Sequence, residues 1–431
     1  MEKTKKTYGY TPAEYKKFTK HAWLMLLSFG LTYLFFYNGR QNINLVRSML
    51  EEEFGTSVGL ITSSLFWCDA FGQLISGRLG AYFGYKKFMI FGILSSATLN
   101  VIISFQHSAT VIAILWGLNG LVQSTVWANG LGVLNKWWPK EKRGFASGLA
   151  TAFTGTAQVV TYLTIHLCLT LNPEWGWRAA FRFPMIPKVL VLIAFIMFFK
   201  TKPEDVGLAP FEEEDGAINE HDEEIAQAIA KKGYFYPYKL LFSQPKVILF
   251  CFISAIAGIG RYGLLEYMPK YFSQEMGLDV KNAIFSSILL PIGHACAMFL
   301  FPFITDKVFK GKREPMLVIA SIITFAGMMP FPLIKTPLPA SIMLFVVGVS
   351  GMVTGVIWAI AGDIGGRALS STLVGVLDWA VYMGAAIQSI GFDFVIAKFG
   401  WSAVFVTIGC LYIVMLVLTL LASKIKNKEL Y

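Results

Sequence analysis

Charge is scarce in this 431-residue chain. Only 15% of its residues are Asp, Glu, Lys or Arg, while 55% are hydrophobic, against about a quarter charged in ordinary soluble domains. With positive mean hydropathy, this balance argues against a soluble domain and against a solvated, disordered chain. Metal-ligating and redox residues are sparse as well. The five cysteines, Cys68, Cys168, Cys251, Cys296 and Cys410, all lie in apolar runs with no ligand spacing between them, so neither a disulfide framework nor a zinc site is expected. No loop of the kind that cradles nucleotide phosphates is present, and no nucleophile, base and orienter set. An enzyme, a resident metal and a cofactor are therefore not expected. The basic opening stretch MEKTKKTYGYTPAEYKKFTK has no short apolar core with a small-residue cleavage site, so the first apolar span is expected to act as its own anchor.

What the chain does have is apolar runs of membrane length. Their length suits helices, since barrel strands would be about ten residues long with alternating character. Twelve spans are expected, near 22–46, 58–81, 88–106, 109–135, 144–171, 179–199, 246–272, 282–305, 315–334, 338–364, 370–397 and 401–423. The net charge of +10 does not point to nucleic acid, because the bases sort by side. The tails and loops on the side of the termini hold 26 Lys and Arg and the opposite side holds 7. The positive-inside rule then places both termini in the cytoplasm of a multi-pass plasma (inner) membrane protein whose surroundings are lipid.

Residues 200–245 are polar, with acid clusters followed by Lys231 and Lys232, and read as a cytoplasmic linker. It separates a half at 22–199 from one at 246–423, with cytoplasmic tails at 1–21 and 424–431. The halves echo each other. WGWRAAF at 175–181 returns as FGWSAVF at 399–405, and the stretch around Ala81 returns around Asp306. Arg40, in the first span, has a counterpart in Arg261, in the seventh. A cation inside a span costs roughly 2.5–3.5 kcal/mol on insertion scales, so it normally faces a protein interior or a water-filled cavity. Tyr33, Tyr37, Arg40 and Asn44 share one helical face. By counting alone, Arg40 could equally snorkel to an interface, and Arg261 could pair with Glu266 on its own helix, although five residues is poor helical spacing. Across the interface of two pseudo-symmetric halves, two guanidiniums suit an oxyanion such as phosphate.

Span four and its exit, NGLVQSTVWANGLGVLNKWWPKEKRG, are specific. Gly120, Gln123, Trp127, Trp137, Trp138, Arg143 and Gly144 resemble the organophosphate:phosphate antiporter family of the major facilitator superfamily. So do Arg261, Tyr262, Gly263, Leu265 and Pro269, and Asp306, Lys307, Val308, Phe309, Gly311 and Arg313. The resemblance runs over nearly the whole chain. It implies an all-α membrane protein of twelve helices in two six-helix halves, exchanging a phosphorylated metabolite for inorganic phosphate by alternating access. It places Arg40 and Arg261 at the substrate, and Asp306, Lys307 and Arg313 at a gate. The chain departs from the family pattern at Gln73, where a lysine is usual, and at Phe153, where several members carry histidine. It also carries Asp69 and Asp378 in apolar helices, and Ala81 and Tyr82 where a gating pair would stand.

Tyr33, Tyr37, Gln73, Gln123, Trp127, Tyr262 and His294 are further candidates to line the site, while Asn119 and Asn129 suit interhelical hydrogen bonding. Asp69 and Asp378 are either structural partners of an arginine or functional carboxylates, the latter for a proton or for a positive group on the substrate. The expected partners are a small anionic substrate, with inorganic phosphate or a proton as coupling species, and the chain is expected to be a monomer. Three alternatives stand beside phosphate exchange. They are proton-coupled uptake of a carboxylate or sulfonate, transport of a zwitterionic phospho-compound, and a transporter-like sensor of sugar phosphate.

Overall fold

A computed structural model describes residues 8–55, 58–209, 228, 231–233 and 235–425. Much of the expected linker and all but two residues of the carboxyl tail lie outside them, as do the side chains of Arg78, Arg143, Asp306 and Arg367. Among the described residues, twelve helices are long and apolar enough to cross a membrane. They are α1 Pro12–Leu45, α2 Val58–Phe83, α3 Tyr85–Ile103, α4 Ala109–Trp137, α5 Lys140–Leu171 and α6 Pro173–Phe198. After the linker come α7 Pro245–Met276, α8 Val280–Thr305, α9 Glu314–Leu333, α10 Pro337–Gly365, α11 Thr372–Phe399 and α12 Trp401–Lys424.

The helix boundaries follow from local chemistry. Pro12, Pro245 and Pro337 stand in the first turns of their helices, where a missing N–H costs nothing. Helix α1 begins ten residues before the expected start because Thr11 and Glu14 form a capping box. The Thr11 hydroxyl accepts from the Glu14 N–H at 3.4 Å and the Thr11 N–H donates to the Glu14 carboxylate at 3.0 Å. At the far end of α7, Gly277 turns out of the helix with φ +68°. A second difference concerns α10 and α11, expected to be joined by a loop at Arg367. The backbone is helical from Thr354 to Phe399 without interruption, and no proline there forces a break. A short helix at Tyr236–Phe242, within the expected linker, leads into α7.

Packing repeats between the halves. In the first, Gly120 of α4 lies against the backbone of Leu65 in α2; in the second, Gly348 of α10 lies against the backbone of Leu290 in α8. Any side chain at either position would collide with main-chain atoms, so the close approach requires glycine. The halves meet along two seams related by the same exchange. Helix α2 meets α11, where the Ser63 hydroxyl donates to the Ala386 carbonyl at 2.9 Å. Helix α5 meets α8, where the Tyr162 hydroxyl reaches the Leu265 carbonyl of neighbouring α7 at 3.2 Å and Gly155 lies against Ala295. Outward faces carry exposed apolar side chains such as Leu190, Ile193, Val414 and Val417, as a lipid-facing surface requires.

Candidate functional site

Helix α1 is broken twice, and the breaks place Arg40. Tyr37 closes the stretch Pro12–Phe36, a second helical segment Asn38–Leu45 follows, and Val46 interrupts it before the short helix Arg47–Phe54. Behind the first break, the Gly39 carbonyl accepts from the side-chain amides of Asn100 at 3.2 Å, Asn119 at 2.8 Å and Gln123 at 3.1 Å. A broken helical segment at membrane depth needs such partners for its backbone. Gln123 is therefore spent behind α1, buried and bonded also to the Ser96 hydroxyl at 2.9 Å. Asn119, expected as interhelical glue, holds the same carbonyl.

Arg40 points the other way, to the centre. It is 5% exposed and donates to Asp69 at 2.6 Å, with Asp69 fully buried. Gln73, one turn below Asp69 on α2, donates to its other oxygen at 3.2 Å. The guanidinium of Arg40 also lies 5.0 Å from the ring centroid of Tyr382 and 6.0 Å from that of Tyr37. Arg261 comes to the same region from α7, within electrostatic reach of Arg40, Tyr37 and Tyr382. Its guanidinium sits 5.0 Å from the Tyr262 ring, it too is 5% exposed, and its Nε has no partner. Among the described residues no carboxylate lies within ion-pair distance of Arg261, so it does not pair with Glu266. Two cations from opposite halves thus meet in one buried, tyrosine-rich region, and among the described residues only Arg40 has a counterion.

Asp378 of α11 stands in the same region and is half-buried. Its only hydrogen bond among the described residues comes from the indole of Trp358 in α10 at 2.8 Å. Arg261 and Arg40 both lie within its electrostatic reach. Trp358 faces Trp127 of α4 across the halves, centroids 6.4 Å apart, and Trp127 lies 5.0 Å from Tyr33. Tyr262, Tyr382 and Phe66 close the opposite side, with centroids 4.9–6.5 Å apart. The structure thus brings together Arg40, Arg261, Tyr33, Tyr37, Gln73, Trp127, Tyr262, Asp69 and Asp378. Phe153 packs beside Leu34 and Tyr37. His294 is buried against Gln158 of α5, with 2.8 Å between Nδ1 and Oε1, and lies within electrostatic reach of Arg261. The expected gate residues are apart from the site: Lys307 is exposed over the Phe303 ring, and Arg313 bonds Thr305 at 2.7 Å and lies 3.7 Å from Asp363.

Several residues escaped the sequence reading. Tyr382 and Trp358 join the centre, and Tyr382 lies four residues after Asp378, on its helical face. Lys188, at 1% exposure in α6, donates to Ser96 at 2.7 Å and lies 4.6 Å from the Phe36 ring centroid; a lysine amid MIPKVLVL was itself a signal. The largest omission lies at the end opposite the termini. There Arg47 donates to Glu51 at 2.9 Å, to both oxygens of Asp393 at 2.6 Å, and to fully buried Glu266. Lys270 adds contacts to Glu51 at 2.7 Å and Asp393 at 3.9 Å, and the Tyr267 hydroxyl donates to Asp393 at 3.0 Å. Burial works against the Arg47 charge, but Tyr267, Glu266, Asp393 and Glu51 outweigh it and hold the pKa above the usual arginine range. Arg47 and Glu51 belong to the first half; the other three charges belong to the second. The spacing of Tyr262, Glu266 and Lys270 on α7, four residues each, marks the polar face that meets them.

Similarity to known proteins extends over most of the chain. A sequence model described as the Major Facilitator Superfamily matches residues 29–389. A probable hexose phosphate transport protein of Chlamydia trachomatis is 24% identical over 92% of this chain and 90% of its own length. The membrane sensor protein UhpC of Escherichia coli is 23% identical over 92% and 90%. Among solved structures, a bacterial homologue of the human lysosomal transporter Spinster aligns with TM-score 0.73 at 13% identity, covering 94% of this chain and 97% of that one.

Proposed function

The chain belongs to the Major Facilitator Superfamily and is a membrane transporter, and from that premise we propose that it carries a phosphorylated organic anion, exchanged for inorganic phosphate by alternating access. The observation that carries this reading is the pair Arg40 and Arg261, set on α1 and α7 in opposite halves, nearly stripped of water and within electrostatic reach of each other. A phosphate monoester can accept paired hydrogen bonds from each guanidinium. Binding one anion between the halves would draw them together around it, so the loaded carrier would reorient more readily than the unloaded one. The names of the relatives, which include hexose phosphate transport, support the substrate class. The positive-inside count supports cytoplasmic termini, and on that sidedness the Arg47 cluster closes the outer end.

The test is counterflow in proteoliposomes. Vesicles loaded with inorganic phosphate should accumulate labelled glycerol phosphate or hexose phosphate, and vesicles without internal phosphate should not. Specific binding without any counterflow would favour a sensor. One observation favours a second transport reading. Because Asp69 already neutralises Arg40, the unloaded carrier would reorient with one bare arginine, Arg261, rather than two, which would ease net uptake with a proton joining Asp69. Uptake into phosphate-free vesicles driven by an inward proton gradient would select that reading.

A further inference from the structure

The charges at the centre include one carboxylate, Asp378, that a simple dianion leaves unmatched. Two arginines and two aspartates meet there, Arg40, Arg261, Asp69 and Asp378, with the buried His294 within reach of Arg261. Arg40 and Asp69 satisfy each other at 2.6 Å, with Gln73 bracing the carboxylate. That leaves one cation, Arg261, and one anion, Asp378, each without an ion-pair partner among the described residues and each within electrostatic reach of the other. A sugar or glycerol phosphate held by Arg261 would bring negative charge toward Asp378 with nothing to offset it.

We propose that the site selects an aminoalkyl phosphomonoester, a zwitterion whose phosphate engages Arg261 and Arg40 and whose protonated amine engages Asp378. This rests on the organophosphate reading above. The Asp378 carboxylate uses one oxygen to accept from the Trp358 indole at 2.8 Å, which fixes its orientation and leaves the second oxygen for an ammonium. The surrounding rings fit the same guest. Trp358 and Trp127 stand 6.4 Å apart, and Tyr33 lies 5.0 Å from Trp127, so aromatic rings from both halves cluster around the indole that holds the carboxylate. An ammonium among aromatic faces beside a carboxylate gains both ion pairing and cation–π attraction. Because Trp127 belongs to the first half and Trp358 with Asp378 to the second, a bound amine would also bridge the halves, as the phosphate does.

The test is calorimetric titration of the purified full-length protein with ethanolamine phosphate, glycerol phosphate and ethanolamine. The wild type should bind ethanolamine phosphate at least about tenfold tighter than glycerol phosphate. In Asp378→Asn, ethanolamine phosphate should weaken by roughly 10- to 100-fold, the scale of a hydrogen bond between charged groups, while glycerol phosphate tightens. Trp127→Leu, which leaves the carboxylate and its indole donor in place, should narrow the preference several-fold and serves if Asp378→Asn does not fold. Equal wild-type affinities, or variants that weaken both phosphates in proportion, would overturn the amine subsite while leaving organophosphate binding intact. Failure of both phosphates to bind would overturn the organophosphate reading, and the amine subsite with it.

Discussion

Replacing Arg47 with alanine should open the end of the molecule opposite the termini. The side chain is fully buried and reaches three carboxylates, of which Glu266 and Asp393 belong to the other half. Without it, Glu266, itself fully buried, keeps among the described residues only neutral donors, Gln388 and Ser389, each at 2.8 Å. Asp393 keeps Tyr267 and a long 3.9 Å approach of Lys270. Removing one partner of a buried pair costs about 3–5 kcal/mol, because the other charge stays desolvated. These contacts join the halves, so most of that cost falls on the closed arrangement and little on one in which the halves part and water reaches the carboxylates. At about 1.4 kcal/mol per tenfold, the balance should move toward the open arrangement by roughly 10²- to 10³-fold. Spin labels at Glu52 and Ala397, both exposed at this end, would report it by pulsed electron resonance. Arg47→Ala should add a longer-distance population that is absent from the parent. An unchanged distance distribution in a protein of unchanged melting temperature would refute the idea that this cluster holds the end closed.

Three further outcomes follow from the same geometry. Asp69→Asn removes the counterion of Arg40, and should raise phosphate affinity by about tenfold, the scale of one charge-assisted contact, while suppressing any proton-driven net uptake; unaltered affinity and coupling would make the pair purely structural. Gly39→Ala places a Cβ 2.7 Å from Lys188 Nζ and 2.9 Å from the Asn100 amide, so something must shift, at about 1–3 kcal/mol for overpacking, read as a lower melting temperature. Glu53 accepts from Arg178 at 2.8 Å and Trp177 at 2.7 Å, and the hydrogen bond from Arg178 is the leading cause of a pKa below the usual 4.5. A depressed carboxylate stabilises above its unfolded pKa and loses this as pH falls through its folded value. Glu53→Gln should therefore melt lower than the parent at pH 7, with the gap closing below about pH 4; a gap independent of pH would contradict it.

The fold was legible because lipid imposes one strong rule, that a span be long, apolar and internally hydrogen-bonded. All twelve spans showed in the sequence as apolar runs, and the echo between the Arg40 and Arg261 regions exposed the two halves. What the sequence obscured was which buried charge meets which. Glu266 is five residues from Arg261 but pairs with Arg47, 219 positions away, since α7 turns Glu266 toward the far-end cluster. Arg47 and Lys270 looked like loop bases because each stands at the edge of an apolar run, where a solvated and a buried cation read alike. Tyr382 and Asp393 could have been found from Asp378, by following its face along α11. Gln123 shows the converse: a polar residue in a span reads as a substrate ligand, yet its amide is consumed by the Gly39 carbonyl that the break in α1 left open.

The central claim is that one anion is held jointly by Arg40 and Arg261. The most direct measurement is calorimetric titration of inorganic phosphate into the purified parent, Arg40→Ala and Arg261→Ala, with folding verified by melting. Each substitution alone should weaken binding by at least about tenfold, the scale of a charge-assisted hydrogen bond, with Arg261→Ala the more severe because Arg40 is already shared with Asp69. Undiminished phosphate binding in either folded variant would contradict it.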